Sequence, residues 1–115
     1  MKDFYRKLRK NIRKLKVIKF LNMNLAKSEK EKIIEICKRN DISYCAVFGS
    51  YARGEANENS DIDLLVKFSK PKGFNWLDAA FEIEDALGKK VDLVTENGLH
   101  PLIRENVLKD LQVIL

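Results

Sequence analysis

Two aspartates one residue apart stand at the start of a stretch that otherwise reads as a buried β-strand. The run 61–68 (DIDLLVKF) is apolar and β-branched after its second acid, and Lys-Pro-Lys-Gly at 70–73 ends it. Side chains alternate across a strand, so Asp61 and Asp63 leave the same face with Cα atoms roughly 6.5 to 7 Å apart, while Ile62 and Leu64 point the other way. A carboxylate in an apolar sheet costs several kcal/mol unless something neutralises it. Any fold for this chain therefore has to place one end of this strand where two acids can be served.

The rest of the chain supplies the surrounding elements. Ser28 and Glu31 form a capping-box signature that opens a helix with Ile33, Ile36 and Cys37 on one side, stopping near Asn40. The run 43–48 (SYCAVF) reads as a buried strand ending at Gly49, followed by a turn of helix from Ser50 that Gly54 closes. A third helix is expected over 74–87 with Gly88 as its stop, a third strand over 91–95 (VDLVT), and a last helix from His100-Pro101 to about Lys109. Helix, strand, strand, helix, strand, helix describes a small mixed β-sheet flanked by helices, an α/β (α+β) domain. At 115 residues there is material for one core, which needs no staples.

Ahead of this domain the charge is concentrated. Residues 1–20 carry nine Lys/Arg against one acid, a net +8, whereas thirteen bases against sixteen acids leave the remainder at −3. Phe4, Leu8, Ile12, Leu15 and Ile18 keep the spacing of one helix face, so residues 1–26 read as a basic amphipathic extension and 27–115 as the main domain. Packing on the domain or on a second copy, in a homo-oligomer, is the reading favoured over nucleic-acid contact through residues 2–19, since no base-reading or aromatic pattern accompanies the charge. No apolar run approaches the about 20 residues of a membrane span, and no signal region is evident, which places the protein in the cytoplasm. Cys37 and Cys45 lack metal or redox spacing and read as buried small apolar residues.

A third acid, Asp92, lies inside the strand 91–95 and joins the pair if the two strands are neighbours. Two carboxylates about 4 Å apart repel by about 4 kcal/mol at an effective dielectric near 20, and a divalent cation removes that cost. All-oxygen ligands select a hard ion, Mg²⁺ or Mn²⁺, which completes its shell with water and substrate phosphate oxygens. The arrangement is half of a phosphoryl- or nucleotidyl-transfer site. Gly49-Ser50 stands where the other half belongs, glycine allowing close backbone approach and the following turn offering N–H groups and a hydroxyl to an anion. Arg53, about one turn on, is placed to add a charge-assisted phosphate contact.

The segment 47–66 (VFGSYARGEANENSDIDLLV) carries Gly49-Ser50, ten residues, and then Asp61-Ile62-Asp63, and it resembles the signature of the DNA polymerase beta nucleotidyltransferase superfamily. With YARGEA and the later KKVDLVT at 89–95 it is most similar to the minimal nucleotidyltransferases of bacteria and archaea. The resemblance implies that Gly49 and Ser50 bind the triphosphate of ATP, that Asp61 and Asp63 ligate two magnesium ions, and that Asp92 completes the metal site and helps activate the attacking hydroxyl. It also implies a partner: such proteins pair with a HEPN-type toxin as the antitoxin of a type VII-like toxin–antitoxin system, adding AMP to a toxin tyrosine. Larger relatives carry a helical domain that helps bind the acceptor. None fits after Leu115, so acceptor recognition is expected to depend on another chain. The competing expectations are an antitoxin that masks its partner without catalysis and a nucleic-acid binder acting through the N-terminal helix. Phe74, Trp76 and Phe81 read as core, and His100 as a helix-start residue.

Overall fold

A computed structural model describes residues 23–71 and 76–115. The basic helix expected from Phe4 to Ile18 and the core role expected of Phe74 lie outside these residues. Within them the chain runs α1 (Lys27–Arg39), β1 (Ile42–Phe48), α2 (Gly49–Arg53), β2 (Ile62–Phe68), α3 (Asp78–Leu87), β3 (Val91–Thr95), a 3₁₀ turn (Glu96–Gly98), α4 (Pro101–Asp110) and β4 (Gln112–Val113). The strands form one sheet in the order β3-β2-β1-β4, with β2 and β3 parallel and β1 antiparallel to both of its neighbours.

The centre of the sheet is buried on both faces, which is why β2 reads as an almost continuous apolar run. On one face Ile62, Leu64 and Val66 of β2 pack with Cys45, Val47 and Leu93 against Ile33, Ile36 and Cys37 of α1 and Ala79, Ala80 and Ile83 of α3. On the other, Leu65 meets Leu99 and Val107, with Tyr44, Phe48, Val94 and Leu111 around them, so α4 covers only part of that face. Met23 and Leu25, ahead of α1, are buried in the larger cluster. Both cysteines are free and buried, as expected.

Several boundaries shift for identifiable reasons. Helix α1 starts at Lys27, its N-cap is Ala26, and Glu29 rather than Glu31 closes the box by accepting the Ala26 N–H at 3.1 Å. The Ala26 side chain has no acceptor to offer, so only the carboxylate half of the device is made. Helix α3 starts at Asp78 and not at Phe74, because Trp76 and Leu77 form a 3₁₀ turn ahead of it. Phe81 is 58% exposed and is no core residue. At 100° per residue it lies about 145° from the direction in which Ala79, Ala80, Ile83 and Leu87 face inward. Trp76 does pack against the larger cluster. Strand β4 went unanticipated, since two residues carry no readable alternation. His100 is the N-cap of α4, its Nδ1 accepting the Leu102 N–H at 3.2 Å, with Pro101 in the first turn.

Candidate active site

Strand register builds the site. Phe48, the last residue of β1, is paired with Asp63, and Asp63 is paired with Asp92 across the parallel β2–β3 ladder. Adjacent strands are about 4.8 Å apart, so Asp63 and Asp92 are nearest neighbours on the face that also carries Phe48 and Leu65. Asp61 stands one residue ahead of β2 and is exposed. The parallel pairing is what lets a charge on β3 meet one on β2, and α3 is the crossover that makes it possible.

Gly49 closes the corner from the β1 side. Its φ of +70° begins α2 in a left-handed conformation that costs a side-chain-bearing residue about 1 kcal/mol or more. A Cβ at this position would also collide with Oδ2 of Asp63. Backbone approach to the carboxylate and the turn from strand into helix are thus both bound to glycine. Ser50 follows on the same turn, and Gly54, at φ +74°, ends α2.

Electrostatics mark Asp63 as the pivot. Burial, then the neighbouring charges of Asp92 and Asp61, push its carboxyl up from 3.8 to about 6, with Arg53 pulling the other way. The corner is short of positive charge, and its donors are all oxygen, the set that suits a hard divalent cation. Among the described residues, no three His, Cys, Asp or Glu side chains already stand as a cluster that could hold a metal ion. The backbone supplies adjacency; the carboxylates would close on an ion by side-chain rotation.

Arg53 is held between two acids. Its Nε donates to Oε2 of Glu55 at 2.9 Å and Nη1 to Oδ2 of Asp110, on α4, at 2.6 Å. Asp61 also lines a cleft of about 500 Å³, together with Tyr51, Asn57, Asn59, Lys89 and Lys90. There Lys89 pairs with Glu29 at 2.8 Å and sits 5.4 Å over the Tyr51 ring.

The sequence model of the polymerase beta nucleotidyltransferase family matches residues 31–115, the stretch that contains every one of these side chains except Glu29. This chain belongs to the polymerase beta nucleotidyltransferase family. Among its relatives, a Methanocaldococcus jannaschii protein named "putative protein adenylyltransferase" is 42% identical over 82 residues, covering 70% of this chain and 88% of that one. A Thermococcus cleftensis protein named protein adenylyltransferase MntA is 39% identical over 77 residues, covering 66% and 78%. A solved structure described as a "putative minimal nucleotidyltransferase" superposes with a TM-score of 0.64 at 40% identity, over 73% of this chain and 87% of that one. A chain of a toxin–antitoxin crystal structure with AMP-PNP gives 0.65 at 26% identity, over 75% and 72%.

For this nucleotidyltransferase the structure gathers Gly49, Asp63 and Asp92 at one corner, leaves Asp61 at its rim, and turns Arg53 toward α4. Asp110 and the Lys89–Tyr51–Glu29 group were not singled out by sequence. Lys89 does lie in the KKVDLVT segment. Asp110 carries no local signal at all, because its partner is 57 residues away and a helix-end acid reads as surface.

Proposed function

We propose that the protein transfers AMP from ATP to a hydroxyl on a partner protein, a tyrosine of a HEPN-type toxin, and so acts as the antitoxin of a toxin–antitoxin pair in the cytoplasm. The observation that carries this reading is the Asp63–Asp92 pair with the Gly49 backbone laid against it. Support for a protein acceptor comes from the names of the two archaeal relatives. The toxin–antitoxin structure with AMP-PNP supports both the nucleotide and the kind of partner.

In this reading Asp61, Asp63 and Asp92 hold magnesium, two ions, with manganese as a substitute, and Gly49 and Ser50 receive the triphosphate. The Gly49 backbone brings the phosphates close because nothing projects from it, and Arg53 adds charge beside them. Bound magnesium supplies neutralisation of the carboxylates and of the charge developing on the phosphate oxygens. Asp92, more exposed than Asp63, faces the acceptor and helps to draw off its proton. The acceptor oxygen forms its bond to the α-phosphorus as the bond to the β-phosphate oxygen breaks, and pyrophosphate leaves. The basic extension at 1–26 is assigned to packing on the domain or on a second copy.

The test incubates the protein with α-labelled ATP, magnesium and a purified HEPN-type partner. Label is expected on the partner's tyrosine and absent with Asp61→Ala plus Asp63→Ala. Transfer that survives that double substitution would sink the catalytic assignment. Neutralisation of the toxin without transfer would establish masking in its place.

A further inference from the structure

We infer that Asp110 is a positioning residue for the nucleotide: it holds the Arg53 guanidinium in the orientation that receives phosphate. This rests on the reading of the Gly49–Asp63 corner as the nucleotide site. Arg53 is the last residue of α2, the five-residue helix that begins at Gly49, and its side chain is 42% exposed. An unanchored arginine there would sample many rotamers, and fixing one on ligand binding would cost up to about 2 kcal/mol.

The structure supplies the anchor in advance. Asp110 is the last residue of α4, and its side chain, 23% exposed, is the less accessible of the two acids on Arg53. With Glu55 on Nε and Asp110 on Nη1, the guanidinium plane is fixed by two bonds. Among the described residues Nη2 makes no hydrogen bond, so one edge of the cation stays available. Helix α2 packs on β2 and on α4, so the clamp ties the phosphate side of the site to an element that carries none of its motif residues. Glu55 alone would not do this, being two residues from Arg53 on the same exposed turn.

Calorimetric titration of the full-length protein with ATP and magnesium tests the assignment, in Asp110→Asn, Asp110→Glu, Arg53→Ala and the double variant Arg53→Ala plus Asp110→Asn. Asp110→Asn is expected to weaken binding about tenfold, or about 1.4 kcal/mol. Asp110→Glu is expected to recover most of that loss, and the double variant to bind no more weakly than Arg53→Ala. A purely structural Asp110 would instead lower the melting temperature with affinity unchanged, or add its full loss to that of Arg53→Ala; either result overturns the inference. So would tighter binding in Asp110→Asn, which would make the acid a competitor of phosphate. If Arg53→Ala itself binds ATP normally, both the clamp and the phosphate role of Arg53 fall. The Asp63–Asp92 site then stands or falls separately on Asp63→Asn, titrated in parallel.

Discussion

A single carboxyl shows how the corner trades stability for chemistry. Asp63 titrates near 6 in the folded chain against 3.8 in the open one, so the folded state holds the proton more tightly. Stability from this group is therefore full below pH 4 and falls as the pH rises through 6. Because the side chain is only partly buried, the loss is discounted to about 1 to 2 kcal/mol. In metal-free buffer with chelator, Asp63→Asn should melt above the parent at pH 7.5 and coincide with it at pH 4. Equal melting temperatures at pH 7.5 would show that neither the burial of Asp63 nor its crowding by Asp92 and Asp61 has energetic weight. Adding magnesium should raise the parent's melting temperature and leave that of Asp63→Asn nearly fixed. Gly49 is the second residue-scale constraint: Gly49→Ala meets both the positive φ and the Asp63 oxygen. It should cost about 2 kcal/mol or more in a denaturant titration. These two positions were legible in the sequence, since charge inside a strand and glycine at a strand end are anomalies that local chemistry exposes. The Asp110 partner of Arg53 was not, because a contact across 57 residues leaves no local trace.

At the scale of elements, periodicity and turn residues located every α-helix and strand among the described residues except β4, missed the 3₁₀ turn at Glu96–Gly98, and misjudged faces where a helix start was misplaced. Beginning α3 at Phe74 puts Phe81 on the apolar stripe; beginning it at Asp78 leaves Ala79, Ala80 and Ile83 inward and Phe81 outward. The distinction has a measurable consequence. Phe81→Ser should change stability by no more than about 0.5 kcal/mol, as for other exposed sites. Ile83→Ala, fully buried between α3 and the sheet, should cost about 2 to 4 kcal/mol. Comparable losses in the two variants would mean that the outward face of α3 is covered. The same helix is the crossover that makes β2 and β3 parallel. Weakening its inner face therefore loosens the Asp63–Asp92 register, and Ile83→Ala should bind ATP with magnesium less tightly without touching a site residue.

At the scale of the molecule the sheet is what connects the parts, and its least conspicuous strand holds one side of it in place. Strand β4 pairs with β1 through Ala46–Val113 and Val47–Gln112. Beyond it the Ile114 N–H donates to the Cys45 carbonyl at 2.9 Å, and the Leu115 carbonyl accepts the Cys45 N–H at 3.1 Å. Ile114 and Leu115 also pack on the larger core cluster. Without these four residues, β1 becomes an open edge carrying Tyr44, Cys45 and Val47, the kind of strand that recruits another chain. Deleting residues 112–115 should lower stability by about 2 to 4 kcal/mol, from lost backbone hydrogen bonds and apolar cover. The shortened chain should also elute from size-exclusion chromatography as larger species at concentrations where the parent does not. Because β1 delivers Phe48 and Gly49 to the corner, ATP binding should weaken in the monomeric fraction as well, even though Arg53, Asp61, Asp63, Asp92 and Asp110 are all retained. An unchanged melting temperature and elution volume would show that β1 needs no cover, and that the site is held by β2, β3 and α2 alone.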